Sequence, residues 1–423
     1  MTRIFTITWY KRYTVIVMCF LAMVIAYSDR VNISVAAIQM QQELGWNDVT
    51  KGLVLSSFFI GYLCFQIIGG WLANRYGGKI VLGFSVLIWS VFTIITPFAA
   101  NLSMAFLLGA RVLLGMGEAS TAPSVVYMYS RWIPANERGR AMAIFSSGAV
   151  VGTLLTLMIT GYVIVNFGWP MAFYSFGMLG FIWAIAWFGL ISKSPEDHHD
   201  ISAEELVLLA NNSNDVRHAN NVPWKYIFSH PAAWALIAAN FSTNWGLYVA
   251  LAWLPSYFND THGISIAGSG IYSSAPWLSM FIAIIISGWL ADKALGNGIS
   301  ATTIRKTAQT IGLIGSAIFL VMAGSAANTF TAILTTCGAL SCLGLCYAGF
   351  APAVLEMSPR YGEVIFSISN TFGTVPGVIG VAVTGWLVEL TGTYVAAFAL
   401  TACVHIIGAL AWLIFGTARK VID

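Results

Sequence analysis

Four ionisable residues lie deep inside apolar runs, where charge is hardest to keep. Asp29 and Arg30 interrupt AYSDRVNISVA, and Arg111 and Glu118 interrupt RVLLGMGEASTAP. Two acids and two bases cancel when all are ionised. Arginine holds its charge at any physiological pH, so the carboxyl groups are the ones that can change state. A carboxyl that alternates between an apolar and an arginine-lined setting changes its affinity for a proton, which is the chemistry of a proton switch. Spacing sharpens the picture. Arg111 and Glu118 are two helical turns apart, ~10.5 Å along the axis and on one face, so they can look into one cavity without touching along the helix. Asp29 and Arg30 are neighbours and point ~100° apart. One reading is a pair of static salt bridges tying the first helix to the fourth. The other is a working proton and anion site, and it is favoured because buried ion pairs stabilise weakly.

The elements that carry these residues follow from composition. The chain has 423 residues, 58% of them apolar and only 9% charged, with a mean hydropathy of +0.78. Soluble domains carry about 25% charged residues, so a water-soluble enzyme is excluded. An aromatic content of 14% excludes intrinsic disorder. The apolar runs are continuous rather than alternating, which excludes a membrane β-barrel and leaves helices, the remaining way to satisfy backbone groups in lipid. The expected fold is an all-α polytopic membrane protein with twelve transmembrane helices in two six-helix halves. Helices are expected over 13–38, 51–74, 79–98, 102–130, 138–164 and 169–191, then over 231–258, 268–292, 305–324, 329–355, 362–388 and 393–416. The first is a retained helix rather than a cleaved signal, since its apolar run continues past Arg30 without a small-residue cleavage site. The domains are an N-terminal half (1–191), a polar cytoplasmic linker (192–230) with one short surface helix near Ser202–Ala210, and a C-terminal half (231–423). Each intramembrane charge facing lipid would cost ~2.5–3.5 kcal/mol, so all four must pair or line water.

Basic residues sort by loop. Of 20 Lys and Arg, 17 fall in alternate loops and the termini, Arg3 and Arg217 among them, and Lys51 alone falls on the opposite face. The positive-inside rule then puts both termini and the linker in the cytoplasm. A repeat joins the halves: GWLANR at 70–75 returns as GWLADK at 288–293, and Gly148 and Gly152 return as Gly373 and Gly377. A repeated bundle with a midplane site is a transporter plan. The C-terminal half lacks intramembrane charge. Its candidate contacts are neutral: Asn240, Asn244 and Tyr248, then Ser369, Asn370 and Thr371. Tyr27, one turn from Arg30, and Tyr62 each offer a ring and a hydroxyl to a polyol.

Other signals fade on inspection. GMGEAS at 115–120 follows no strand and reads as close helix packing. Gly78-Lys79 lacks the upstream glycine of a phosphate-binding loop. His198 and His199 read as solvated, and His405 as core. The six cysteines lie in apolar runs without a CxxC pair and read as small buried hydrophobes. No cofactor, metal or nucleic acid is implied; the proton gradient is the expected energy source.

GGWLANRYGGK and its second copy resemble the loop signature of the major facilitator superfamily. In that family an acid precedes the base; here Asn74 replaces it in the first copy, and Asp292 retains it in the second. The resemblance makes Asn74, Arg75, Asp292 and Lys293 gating-loop residues. YSDRVNISVA, RVLLGMGEASTAPSVVYMYSRWIPANERGRA, ANFSTNWGLYVALAWLPSYF, TTIRK and SPRYG with SISNTFGTVPGVIGVAVTG resemble the anion:cation symporter family. This implies proton-coupled uptake of a small organic anion, such as a hexonate, hexuronate or sialate. By position, Asp29 and Glu118 would carry protons with Arg111 as their charge partner, Arg30 would hold the substrate carboxylate, and Arg30 and Arg111 both belong to the expected substrate-binding set. Tyr27, Tyr62, Asn244 and Asn370 complete the expected substrate site. Thr243 stands where glutamate-carrying members have an arginine. The second half looks closest to the plant plastid branch, whose cargoes include phosphate and ascorbate. The expected setting is a monomer in a bacterial inner membrane. Alternatives are a proton-coupled exporter of metabolites or drugs, a phosphate or other anion transporter, and a sensor that no longer transports.

Overall fold

The structure, a computed structural model, describes residues 10–210 and 222–421; Arg3, Arg217 and the linker positions 211–221 lie outside them. Among the described residues every regular element is helical. The elements are α1 (Lys11–Leu44), α2 (Asp48–Tyr76), α3 (Gly78–Leu102), α4 (Met104–Glu118), α5 (Thr121–Trp132), α6 (Ala135–Phe167), α7 (Trp169–Leu190), α8 (Ala203–Ala210), α9 (Trp224–Ser229), α10 (Pro231–His262), α11 (Ile266–Gly296), α12 (Ala301–Gly324), α13 (Thr329–Leu345), α14 (Phe350–Met357), α15 (Gly362–Thr391) and α16 (Val395–Phe415). Ten stretches of the described residues are long and apolar enough to cross a membrane. Two of the expected twelve fall outside that set for different reasons. Helix α10 has 32 residues, enough for ~48 Å, but Asn240, Ser242, Thr243 and Asn244 dilute its middle. The expected fourth helix is interrupted.

That interruption has a local cause. Pro123 has no N–H to offer the carbonyl of Ala119, and α4 stops at Glu118 before α5 resumes at Thr121. Pro352 does the same to Ala348: α13 ends at Leu345, a 3₁₀ turn spans Cys346–Ala348, and α14 begins at Phe350. The freed Ala348 carbonyl accepts from Arg305 Nη1 at 3.0 Å, while the same guanidinium binds Glu356 on α14. Both interruptions fall four residues before the matching proline of the internal repeat.

The chain forms two compact units. Among the described residues, one gathers 10–30, 64–152 and 173–210; the other gathers 31–63, 153–172 and 222–421. In the first, α3 packs on α4 and α5. In the second, α12 packs on α13 and α16, α10 on α15 and α16, and α11 on α13. Large apolar side chains remain exposed across both, including Ile67, Ile185, Phe106 and Phe330. Such a surface suits lipid and not water, and the protein is an integral, multi-pass membrane protein. Cys64 and Cys403 belong to that exposed surface, contrary to the expectation of burial, while Cys19 and Cys346 are buried.

Glycines set the closest approaches. Gly77, at φ +91°, makes the one-residue turn between α2 and α3, a conformation L side chains resist. On α6, a Cβ at Gly152 would strike the Val24 carbonyl and crowd the Tyr27 Cβ, and one at Gly148 would meet the Phe20 carbonyl. Their counterparts on α15 work alike: Gly373 lets α15 close on Asn240 and Asn244 of α10. The expected linker helix is α8, and it does more than cover the surface. Glu205 accepts from the backbone N–H groups of Lys11 and Arg12, both at 3.0 Å. An anion is thereby placed on the positive end of α1. Arg12 Nε also donates to Glu137 at 3.0 Å, tying α1, α6 and α8 together.

Gly152→Val is expected to lower the thermal unfolding midpoint of the detergent-solubilised protein, by an overpacking cost of about 1–3 kcal/mol. Gly109→Ala, where a Cβ meets nothing within 4 Å, should leave the midpoint unchanged or raised. Equal midpoints for the two variants would count against the close α1–α6 approach.

Candidate functional site

The four intramembrane charges converge in the first unit. Arg30 comes from the middle of α1, and Glu118 is the last residue of α4, at the proline-induced interruption. Arg30 Nη2 donates to Glu118 Oε2 at 2.7 Å, and both side chains are almost fully buried. The pair is 88 residues apart in sequence, so each charge finds its partner on the other helix. Arg111 stands seven residues before Glu118 on α4. It is buried within reach of the fields of Glu118, Asp29 and Arg30. Asp29 is fully buried. Its charged neighbours are Glu118 and Arg111, and Thr93 and Trp89 of α3 lie beside its carboxyl. Both carboxylate oxygens and the Trp89 indole N–H are buried without closing a hydrogen bond.

Neighbouring elements hold this cluster in place. The Arg30 guanidinium lies over the Tyr27 ring, 4.7 Å from its centroid, a cation–π contact. Tyr27 is fixed from behind by the α6 approach at Gly152. Gly117 brings α4 against the Trp89 backbone, so this glycine of GMGEAS serves close packing. Two acids and two arginines in one enclosed site can bind an anion only if an acid gives up its arginine. A proton on Glu118 would release Arg30 and leave one positive charge for an incoming anion to balance.

The remaining sequence candidates fall elsewhere. Tyr62 belongs to the second unit, its ring 5.8 Å from Phe58. Asn244 Nδ2 donates to Asn240 Oδ1 at 2.9 Å, and Asn240 Nδ2 donates to the Ser369 carbonyl at 2.9 Å. This polar ladder joins α10 to α15 beside Asn370, which is half-buried. Gln309 Nε2 donates to Thr243 Oγ1 at 3.1 Å, adding α12 to the same polar region. Asn74 and Arg75 are exposed near the end of α2, and Asp292 and Lys293 are exposed on α11. Lys293 Nζ sits 5.0 Å from the Trp289 ring centroid. All four lie within helices that run on past the ends expected for them. His405 is fully buried against Gly246, a core position. Sequence reasoning missed Trp89 and Thr93, which carry no charge to single them out. Their one signal is a polar group on α3 within an otherwise apolar run.

Comparison with known proteins places this geometry in context. The family model described as Major Facilitator Superfamily matches residues 19–363. The chain is 38% identical to the chloroplastic ascorbate transporter of Arabidopsis thaliana, over 98% of this chain and 76% of that protein. It is 37% identical to the chloroplastic sodium-dependent phosphate transport protein 1 of the same plant, over 98% and 80%. Among solved structures, a D-xylose-proton symporter superposes with a TM-score of 0.78 at 15% identity, covering 97% of this chain and 99% of that one; at that identity the likeness is one of fold. Relatives named chloroplastic lend no support to a bacterial inner membrane.

Arg30→Met leaves the Glu118 carboxylate buried without its guanidinium, and a broken buried pair costs about 3–5 kcal/mol. Arg30→Met with Glu118→Leu removes both charges and should recover most of that loss. Thermal unfolding of the two variants against the parent measures it. A double variant no more stable than Arg30→Met would argue against the pairing.

Proposed function

Because the chain belongs to the major facilitator superfamily, we propose that it is a secondary active transporter of the anion:cation symporter type, moving a small organic anion together with protons by alternating access. The observation that carries the proposal is the buried Arg30–Glu118 pair with Asp29 and Arg111 around it. A substrate carboxylate and Glu118 compete for one guanidinium. Protonating Glu118 removes the competitor, so anion and proton enter together and the site keeps its charge balance. Arg30 is then the substrate-binding base, Glu118 the coupling acid, and Asp29 with Arg111 a second acid and its charge partner. Tyr27 orients Arg30 and presents a hydroxyl to a sugar acid. Asn244, Asn370 and Tyr62 supply neutral contacts, and the Asn74-Arg75 and Asp292-Lys293 segments act as gates on the basic side.

Energetics favour the coupling. Moving one negative charge inward against 100 mV costs ~2.3 kcal/mol. One co-moving proton cancels that cost, and a second, on Asp29, lets the membrane potential drive uptake. The basic loops and both termini face the cytoplasm by the positive-inside rule, and the six-helix halves 1–191 and 231–423 rock about the site. A monomer suffices, since the charged cluster is built from one chain. Phosphate or another inorganic anion is the second reading, favoured by the relative named for sodium-dependent phosphate transport.

The test is uptake into proteoliposomes under an imposed inward proton gradient, with sugar acids, ascorbate and phosphate as cargoes chosen by thermal-shift screening. Gradient-driven accumulation of a carboxylate is expected. Glu118→Gln should keep substrate exchange and lose accumulation. Loss of binding in that variant would move Glu118 into the substrate site. Uptake that follows a sodium gradient alone would remove the proton from the scheme, and uptake driven by an outward proton gradient would make the protein an exporter.

A further inference from the structure

Lys51 is the one basic residue on the face opposite the basic loops, and the structure takes it out of any loop. Its side chain is completely buried in the first turn of α2. Lysine is almost never fully buried unless paired, and here the pairing spans several helices of the second unit. Lys51 Nζ donates to Gln41 Oε1 near the end of α1 at 2.9 Å. It lies 3.9 Å from Asp260 Oδ2 near the end of α10, and 5.2 Å from the ring centroid of Trp253 on the same helix. Asp260 Oδ2 accepts in turn from the Tyr394 hydroxyl, just before α16, at 2.7 Å. Gln41 Nε2 also donates to Asp48 Oδ1 at 3.0 Å. The Asp48 backbone N–H, the first of α2, donates to Glu389 Oε2 on the last turns of α15 at 2.8 Å. One turn into α2, Gly52 and Gly385 let the two backbones touch; a Cβ on Gly385 would collide with the Asp48 carbonyl.

Five helix ends are therefore held by a chain of single polar contacts converging on one lysine. Such an arrangement is a poor way to glue helices permanently, since buried ion pairs add little stability over apolar packing. It is a good way to make a contact that holds in one register and can be undone. Water can reach the lock: the Asp260 side chain is 39% exposed, and a cavity of about 620 Å³ lined by Gln41, Asp48, Tyr257, Asp260 and Tyr394 runs beside it. The contacts join α1 and α2 to α10, α15 and α16, helices from opposite ends of the chain.

We propose that Lys51 is the keystone of a gate on the face opposite the basic loops, a lock with Gln41 and Asp260 that opens and re-forms in each transport cycle. This rests on the alternating-access reading above. In the cycle Lys51 is a positioning residue: it touches no substrate and sets how often this face opens.

The test is a labelling rate that needs no cargo. Ser56, one turn beyond Gly52 on the same face of α2, is buried. Ser56→Cys, in a background with the six native cysteines replaced, reports opening when a membrane-impermeant methanethiosulfonate is added from that face. The parent should label slowly, and Lys51→Met about tenfold faster, the signature of a shifted population. The charge exchange Lys51→Asp with Asp260→Lys should return the rate to within about threefold of the parent. Asp260→Asn, altered at the exposed end of the lock, should also label faster and serves if Lys51→Met fails to fold. Parent-like labelling in a folded Lys51→Met, or in Asp260→Asn, overturns the proposal. So does a charge exchange that labels as fast as Lys51→Met. Uptake assays that fail for every cargo would overturn the transport reading while leaving the labelling result intact.

Discussion

Hydrocarbon cannot solvate a charge, and most of this structure follows from that constraint. Every ionised group at depth must find its counter-charge inside the protein. Arg30 and Glu118 find each other across two helices, and Asp29 and Arg111 are enclosed around them. The helices that deliver these four groups must then hold a fixed register. The glycine contacts of α6 with α1, and of α4 with α3, are what hold it. With all four groups ionised such a site is neutral, and on the proposed reading it would stay neutral when an anion and a proton enter together. Coupling, on that reading, would arise from the same electrostatic requirement that holds the helices in place.

The repeat shows how one packing device can be put to two uses. Gly152 on α6 backs Tyr27 and, through it, Arg30, whereas the matching stretch of α15 closes on the Asn240–Asn244 ladder. Pro123 and Pro352 interrupt matching helices at matching places. At the first interruption stands Glu118, in the charged cluster. At the second the freed carbonyl is taken by Arg305, which also binds Glu356. One copy therefore uses the interruption to place a charged group at depth, and the other stabilises it with a guanidinium nearer the basic loops.

Much of this was legible because charge in an apolar chain is scarce. Asp29, Arg30, Arg111 and Glu118 stand out by type alone, and the helical period places Arg111 and Glu118 on one face and Tyr27 one turn from Arg30. The helix pattern, the linker helix and the family resemblance were equally readable. Contacts between distant residues were not. The sequence allows bridges between the first and fourth helices, but it does not say that Arg30 takes Glu118, 88 residues away. Lys51, in GWNDVTKG, stands at the edge of the expected second helix among polar neighbours, and its burial depends on Asp260 and Trp253, some 200 residues further on. Helical periodicity also leaves open which apolar face meets lipid, which is why Cys64 and Cys403 read as core and are exposed. Pro123 was visible, but an apolar run does not reveal that a proline has split it.

Glu205 carries a consequence for how the molecule is made. It caps the backbone of Lys11 and Arg12, yet it is synthesised almost two hundred residues after them. The leading N–H groups of α1 therefore wait for their protein partner until the chain has been made as far as Glu205. Domains generally fold from the N-terminus during synthesis, but here the N-terminal helix is among the last elements of its unit to be completed. The linker, on this view, closes the first assembly step before the remaining helices arrive.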